Sequence, residues 1–353
     1  MKLLILMPQC DKSEEAIICG LSESGFEVHL VCSEEIASRE KIKTSGIEII
    51  TRDFGGRFDF ASASFVRNMV KDIGIDAIYA PRNNTLGIGV LASLGAKNKL
   101  VGYRGTTHHL HWYDVPSLMT YLNSRVDRIV CVSDAVKKYL LGMGLPEKRL
   151  TRIYKGHDTR WYSGLKKPSR SELGIPEDCF VVCFAGRIRP VKGCDVLLRA
   201  VEMLSAENNV MVLMVGEMAD RRVERMLNDG VLKDRVKYLG YRPDAAVVAG
   251  ACDVFVMPSL KREGLPRAVI EAMAQGVPAI VSDAGGMPEL VEDGKSGLIV
   301  KAGEARALAD AIERMRSDPA FRKKCSIAAR ERIENHFNIR ESIEQYAAMF
   351  RSL

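Results

Sequence analysis

Short apolar runs rich in β-branched residues alternate with amphipathic helical stretches along most of the chain. In the first part, seven such runs predict strands, at residues 3–7, 27–31, 47–50, 77–79, 100–103, 128–132 and 150–154. Helical patterns lie between them, for example at 13–24, closed by Gly25, and at 134–141, closed by Gly142. Strands that are apolar at nearly every position are buried on both faces, so this pattern predicts a parallel sheet between two layers of helices.

The alternation stops at residues 155–178, where glycine and proline are frequent and apolar residues are few, which is typical of a linker. It then resumes with six more predicted strands, at 180–185, 210–215, 236–239, 254–256, 279–281 and 298–300, and from 305 the chain is helical to its end. We therefore expect an α/β protein of two doubly wound, Rossmann-like domains that face each other across a cleft. The expected domains are 1–160 and 161–337, with a last helix at about 338–353 that packs back on the first domain.

Composition agrees with two globular domains, because 353 residues with 47% apolar and 27% charged side chains can form two cores. The apolar run at 3–7 is far shorter than the roughly 20 residues of a membrane-spanning helix, and charged residues follow it at once. The nine cysteines form no C-x-x-C pair, which argues against a disulfide framework or a structural zinc site. The sequence thus indicates a reduced, cytoplasmic protein.

The net charge of +6 is mild, but residues 119–160 hold nine basic and four acidic side chains. A solvated helix face explains this excess. The alternative is peripheral association with the inner face of a membrane, or a charged acceptor. Nucleic acid is not expected as a partner, because no aromatic side chains are interleaved with these charges.

The segment 257–276 is the most informative part of the chain. A buried strand is expected to end at Met257, and a helix to begin near Pro266, so the turn Glu263-Gly264-Leu265-Pro266 leaves backbone N–H groups at a helix N-terminus. Glu271 lies further along the same helix, and a carboxylate there can accept hydrogen bonds from vicinal hydroxyls. The pattern favours a site for a phosphate next to a sugar.

Two further turns follow predicted strands. Gly186-Arg187 and Lys192 come after the strand at 180–185, and their two cations could hold a diphosphate and neutralise its charge. A second glycine-rich turn, Ser282-Asp-Ala-Gly-Gly-Met-Pro-Glu, follows the strand at 279–281. Each feature alone is weak, since glycine turns follow strands in most α/β proteins.

Taken in order, these segments read G-R-x-x-x-x-K-G, E-G-L-P-x-x-x-x-E-A-M-A-x-G-x-P and G-G-x-x-E-x-V-x-D-G-x-x-G. The order resembles that of the retaining glycosyltransferases of family 4, which have the GT-B fold. The resemblance covers essentially residues 180–300. It implies transfer of a hexosyl or N-acetylhexosaminyl group from a UDP- or GDP-sugar, with the anomeric configuration kept and without a metal or other cofactor. The implied acceptor is a glycan, a lipid-linked molecule or another hydroxyl compound, in the assembly of cell-surface polysaccharide.

The resemblance also implies the roles of individual residues. Arg187 and Lys192 would bind the diphosphate, Glu271 the ribose, and Glu263, with the amides of Gly264, Leu265 and Pro266, the donor sugar and phosphates. The base would lie against loops that contain Gly216, Tyr241 and Arg242, and Gly186 would also contact the nucleotide-sugar. Catalytic roles are expected for Arg187, Lys192, Glu263, His108 and Arg104.

Three features depart from the family pattern. The turn after the first strand, Met7-Pro-Gln-Cys-Asp-Lys, lacks a glycine pair, and the segment from Pro258 to Glu263 is one residue longer than usual. The third departure is that the active-site histidine of the N-terminal domain has no clear position, because His108, His109 and His111 all follow the strand at 100–103. We expect Arg104 and one of these histidines to contact the transferred sugar or the acceptor. Structural histidines and a His-x-His metal site are the alternatives.

Two other functions fit the same fold. A sugar-nucleotide epimerase would use a similar diphosphate pocket but needs acid and base groups around the sugar, where the second domain supplies one carboxylate. A non-catalytic nucleotide-sugar binding protein would also have two domains and a cleft.

Overall fold

The structure, a computed structural model, describes residues 1–205, 207, 209–228, 230 and 232–353. The chain forms two compact units. The first comprises Met1–Gly156 together with Ile339–Leu353, and the second comprises His157–Asn338. The expected boundaries, after residues 160 and 337, lie within a few residues of these crossings.

The first unit is built on a seven-stranded parallel sheet in the order β3-β2-β1-β4-β5-β6-β7. Its strands are β1 (Lys2–Met7), β2 (Glu27–Cys32), β3 (Glu48–Thr51), β4 (Ala77–Ala80), β5 (Lys99–Arg104), β6 (Arg128–Cys131) and β7 (Leu150–Arg152). Strand order reverses between β1 and β4, and ligands bind beside such reversals in open α/β sheets.

Eight helices belong to this unit. They are α1 (Lys12–Glu23), α2 (Glu34–Ala37), α3 (Glu40–Lys43), α4 (Phe60–Met69), α5 (Asn83–Ala92), α6 (Val115–Leu118), α7 (Asp134–Gly142) and α15 (Ile339–Arg351). Helix α15 packs on α1 and contributes Tyr346 and Phe350, whose rings contact Tyr79 of β4. The last helix of the chain is therefore part of the first unit's core.

The second unit repeats the arrangement with six parallel strands in the order β10-β9-β8-β11-β12-β13. They are β8 (Phe180–Ala185), β9 (Val210–Val215), β10 (Val236–Tyr238), β11 (Val254–Met257), β12 (Ala279–Ser282) and β13 (Gly297–Val300). All six residues of β8 are buried, as are all four of β11 and of β12. The strand reversal lies between β8 and β11.

The helices of the second unit are α8 (Cys194–Met203), α9 (Arg221–Asn228), α10 (Ala245–Ala249), α11 (Arg267–Ala274), α12 (Met287–Leu290), α13 (Ala305–Ser317) and α14 (Pro319–His336). Helix α11 ends at Ala274, because Gln275 closes it and Gly276 follows with φ 76°.

The prediction of two doubly wound parallel sheets is confirmed. Each of the thirteen predicted strands is present, and the bounds differ from the expected ones by at most two residues. All nine cysteine thiols are free, and eight of them are buried. Within the described parts of the chain, no helix is both long enough and apolar enough to cross a membrane.

Candidate active site

A hollow of about 340 Å³ opens in the second unit at the carboxyl ends of β8 and β9. The turn after β8 contributes Gly186 and Arg187, and the turn after β9 contributes Gly216. Helix α11, which follows β11, contributes Glu271. The hollow thus lies beside the strand reversal, where the fold predicts a ligand.

Six residues that were singled out from the sequence meet in this hollow, namely Gly186, Arg187, Gly216, Tyr241, Arg242 and Glu271. The two that would meet a diphosphate and a ribose are held by neighbours of opposite charge. Arg187 lies 3.1 Å from Glu217, and Glu271 lies 3.2 Å from Arg267. The Arg187 side chain is 54% exposed and that of Glu271 20% exposed, so a ligand can reach the first more easily than the second.

Small residues on the far wall leave room for a flat group. Ala245, Ala246 and Ala249 of α10 line the hollow, and Tyr241 stands at its edge with 76% of its surface exposed. An exposed aromatic ring beside a wall of methyl groups can stack on a planar base. These alanines were not among the predicted site residues. Their signal is the run Asp244-Ala-Ala-Val-Val-Ala, in which small residues recur on one helix face directly after the Tyr241 turn.

Lys192 and Glu263 do not line the hollow, but they form a pair of their own. Lys192 Nζ lies 2.6 Å from Glu263 Oε1, and the Ser259 hydroxyl donates to the same oxygen at 2.9 Å. The two paired side chains are only 15% and 11% exposed. The predicted diphosphate cation therefore has an anionic partner within the chain.

The turn that carries Glu263 is held from two sides. Leu260 N–H donates to the Val191 carbonyl at 2.8 Å, and Gly286 N–H donates to the Glu263 carbonyl at 3.3 Å. Arg262 has φ 72°, a left-handed conformation that is rare for a residue with a side chain.

Two glycines lie where neighbouring turns pack most closely against the segment that carries Glu263. Gly285 has φ 62°, and a Cβ atom there would collide with the Glu263 carbonyl oxygen. Gly193, at φ 66°, would meet the Pro258 carbonyl in the same way. The turns that contain Lys192 and Gly285 therefore both pack against the backbone of the segment from Pro258 to Glu263.

The Glu263 turn leads directly into α11. Gly264, Leu265 and Pro266 are buried, Pro266 occupies the N-cap, and no side chain caps the helix. The first N–H groups of a helix have no partner within it and favour an anion. Residues 267, 268 and 271 of this helix line the hollow, so the N-terminal end of α11 and the hollow adjoin.

In the first unit, Arg104 ends β5 and lines a second hollow of about 600 Å³ together with Asn83 and Asn84. The three candidate histidines do not line it. His108 stacks on Tyr139, with ring centroids 6.2 Å apart, and His111 stacks on Tyr113. His109 has φ 69°. The structure therefore brings Arg104 and the asparagines together and leaves the histidines outside their hollow.

The turn after β1, which lacks a glycine pair, ends in carboxylates. Asp11 caps α1 through the N–H groups of Ser13 and Glu14. Lys155 Nζ lies 2.5 Å from Asp11 and 3.4 Å from Glu14. Burial lowers the pKa of Lys155, but Tyr103, Glu14 and Asp11 outweigh it, and the net pKa is raised. This helix end is occupied by the chain's own anions.

Much of the basic excess at 119–160 is paired within the protein. Lys137 lies 2.8 Å from Glu147, and Arg149 donates to the Asn123 carbonyl at 2.6 Å. Other basic residues with acidic neighbours are Arg125 with Asp127, Arg152 with Asp134, Lys155 with Asp11 and Arg160 with Asp158. Lys138 and Lys148 are exposed. The residues that the structure describes include no group of three or more His, Cys, Asp or Glu side chains arranged for a metal ion.

Two family models match the chain, one in each half. The model of the glycosyl transferases group 1 matches residues 166–332, and that of glycosyltransferase family 4 matches residues 15–161. The chain belongs to the family 4 glycosyltransferases. The hollow beside Arg187 and the Lys192–Glu263 pair both lie in the part that the first model matches.

Similar proteins agree with this assignment. The chain is 26% identical to the lipopolysaccharide core biosynthesis glycosyltransferase LpsE of Rhizobium meliloti, over 93% of this chain and 95% of that protein. It is 31% identical to the putative colanic acid biosynthesis glycosyltransferase WcaL of Salmonella typhimurium, over 65% of this chain and 57% of that protein. The crystal structure of Anabaena HepE in complex with UDP-glucose superimposes with a TM-score of 0.81 at 23% identity, and the match covers all of both chains. This family 4 glycosyltransferase therefore has the GT-B fold.

Proposed function

We propose that this glycosyltransferase moves a hexosyl or N-acetylhexosaminyl group from a nucleoside-diphosphate sugar to an acceptor hydroxyl, with the anomeric configuration kept. The observation that carries the proposal is the 340 Å³ hollow, which reaches the uncapped start of α11, directly after the turn whose Glu263 pairs with Lys192. A nucleoside fits the hollow, and the diphosphate then lies at the helix end. Family membership favours transfer over the epimerase and the non-catalytic alternatives.

Each residue then has a distinct part in the reaction. Glu271 accepts hydrogen bonds from the ribose, and the ring of Tyr241 stacks on the base, which is uracil or guanine. Arg187 and Lys192 neutralise the diphosphate as the bond to the sugar breaks and negative charge grows on the leaving group. These fixed cations and the α11 amides supply the counter-charge without a metal or other cofactor.

Retention follows if the acceptor hydroxyl attacks from the face that the leaving group vacates. A phosphate oxygen of the leaving group can then accept the proton of that hydroxyl, so the reaction needs no general base from the protein. Positive charge that develops on the sugar ring would be countered by the Glu263 carboxylate, which in the structure pairs with Lys192. The names of LpsE and WcaL support a glycan or lipid-linked acceptor in bacterial surface polysaccharide assembly.

The test is to incubate the full chain with UDP- and GDP-sugars, with and without a bacterial glycolipid extract. We expect nucleoside diphosphate release that depends on the extract, and a product whose anomeric proton coupling in NMR equals that of the donor. An inverted product would contradict retention. An epimerised nucleotide-sugar would support the epimerase instead, and binding without release under any condition would support the non-catalytic protein.

We also propose that the first unit docks on a membrane surface, chiefly through exposed apolar side chains. Trp112 and Tyr113 are 53% and 84% exposed, and Trp112 Nε1 donates to the Met143 carbonyl at 2.9 Å, just beyond α7. Helix α7 itself carries the exposed Lys138. Aromatic rings beside basic side chains are typical of surfaces that bind anionic lipids.

Replacing Tyr113 with serine should lower the fraction of protein that sediments with phosphatidylglycerol–phosphatidylethanolamine vesicles by several-fold, because a large exposed ring is lost. The matched control is Ile327→Ser in the second unit, where the replaced side chain is 54% exposed and binding should not change. Parent protein that stays in the supernatant, or equal losses in both variants, would contradict membrane docking through this surface.

A further inference from the structure

The hollow of about 600 Å³ in the first unit has an unusual concentration of positive charge. Its walls come from the loops that follow β3, β4 and β5 and from Tyr121, and they contain Arg57, Arg82 and Arg104. All of its lining residues are described, and none is an aspartate or a glutamate. Three arginines therefore line one hollow whose walls contain no acidic residue.

Arg104 is the most constrained of the three. It is 5% exposed, and its guanidinium donates to the carbonyl of Thr106 at 3.1 Å and to the carbonyl of His108. The same group lies over the Tyr121 ring, 4.8 Å from its centroid. It has no ion pair with any described residue. Buried charges are normally paired, so Arg104 is unusual in having no carboxylate as its counter-charge.

Arg57 adds a second uncompensated charge. It is half-buried and has neither an ion pair nor a side-chain hydrogen bond with the described part of the chain. Its backbone packs against Gly87 of α5, and Asn84 Nδ2 donates to the neighbouring Gly55 carbonyl at 3.1 Å, so its loop is held in place. Burial raises the pKa of the Tyr121 phenol, whereas the charges of Arg104, Arg82 and Arg57 oppose that rise.

Arg82 differs from the other two, because it lies 2.7 Å from Glu14 and also donates to the Gln9 carbonyl at 3.0 Å. Its charge is therefore balanced. Asn83 begins α5 and accepts a hydrogen bond from the Tyr121 hydroxyl at 2.9 Å, which positions the start of that helix beside the hollow. The positive end of the α5 dipole adds to the two free cations.

We propose that this hollow binds an anionic group, a phosphate or a carboxylate, carried by the acceptor. A guanidinium can donate two parallel hydrogen bonds to either group, and a small anion would supply the counter-charge that Arg57 and Arg104 lack. The assignment to the acceptor rests on the proposed function, since the nucleotide-sugar has its own hollow in the second unit. It adds a substrate class, an acceptor that carries a phosphate or a carboxylate.

Glucose 6-phosphate, glucuronate and neutral glucose are suitable probes in calorimetric titrations of the full chain. We expect both charged sugars to bind at least tenfold more tightly than glucose. Arg57→Gln should weaken binding of the charged sugars about tenfold or more, and Arg104→Lys, which keeps the charge but loses the fork, should weaken it less. Inorganic phosphate, titrated in parallel, shows whether the anion alone is sufficient.

The matched control is Arg187→Gln, which removes an exposed arginine from the nucleotide hollow. It should weaken nucleoside diphosphate binding and leave glucose 6-phosphate binding unchanged, and Arg57→Gln should do the reverse. Equal affinity of the parent for glucose and its phosphate, or an unchanged Arg57→Gln variant, would overturn the inference. Loss of sugar phosphate binding in Arg187→Gln alone would place the anion in the second unit and also overturn it. Failure of the parent to bind any nucleoside diphosphate would instead count against the proposed function.

Discussion

Replacing Lys192 with alanine should lower the turnover number by about a hundred- to thousandfold, the range seen when one preorganised donor to a developing anion is lost. Nucleoside diphosphate binding should weaken by about one to two orders of magnitude, because a hydrogen bond to a charged group contributes roughly 1.5–3 kcal/mol. The effect on turnover exceeds the effect on binding because the charge on the leaving group grows as the bond breaks. Steady-state kinetics and calorimetric titration measure the two.

The same variant should also be less stable, by about 1–3 kcal/mol, because the Glu263 carboxylate would stay largely buried without its cation. The double variant Lys192→Ala/Glu263→Gln separates the two effects. It removes the unpaired charge, so most of the melting temperature should return while turnover stays low. A Lys192→Ala protein that transfers sugar at the parent rate, or a double variant that regains turnover, would contradict the role of Lys192 at the diphosphate.

Gly285→Ala should destabilise the second unit and displace the Glu263 turn. A left-handed backbone costs a residue with a side chain about 1–2 kcal/mol, and here the new Cβ would also collide with the Glu263 carbonyl oxygen. The collision cannot be relieved by a side-chain rotation, because the atom it meets belongs to the backbone. Since a shift of about 1 Å in a substrate-positioning group can cost about a hundredfold in rate, turnover should fall by about that factor.

Gly294→Ala is the matched control for this substitution. Gly294 has φ 72° against 62° at Gly285, and a Cβ atom there would meet no other atom within 4 Å. Urea unfolding of the two variants should therefore show the same conformational penalty, with a further loss in Gly285→Ala alone. Equal stabilities and equal turnover numbers would mean that the Gly-Gly turn does not hold Glu263.

The strands were predictable from sequence because each is a nearly continuous apolar run. Strands that are buried on both faces have few polar positions to interrupt that pattern. β8 is buried at all six positions, and its bounds agree with the prediction. The linker was harder to place. The chain crosses between units at Gly156 and His157, earlier than the glycine- and proline-rich stretch suggests, because His157 N–H donates to the Phe337 carbonyl at 2.7 Å. Such a long-range pairing has no local signature.

The residues of the site were predictable in type and less so in arrangement. The turns that contain Arg187 and Tyr241 meet at one hollow because parallel strands end at one edge of the sheet. The close pairing of Lys192 with Glu263 depends on how two turns pack, which spacing along the chain does not show. Tertiary structure also decides which acidic residues pair with the basic segment at 119–160. It likewise decides that the histidines lie outside the hollow beside Arg104.

A bulky side chain on the wall of the hollow beside Arg187 should block nucleotide-sugar binding, because we propose that this hollow holds the nucleoside. Ala246 lines its wall and is half-buried, and its backbone carbonyl accepts hydrogen bonds from Gln275 Nε2 at 2.6 Å and from the Gly250 N–H at 3.1 Å. Calorimetric titration with a panel of UDP- and GDP-sugars should show one-to-one binding of at least one donor to the parent. An Ala246→Trp protein with the parent melting temperature should show none. Binding of that donor to Ala246→Trp at the parent affinity would contradict the claim.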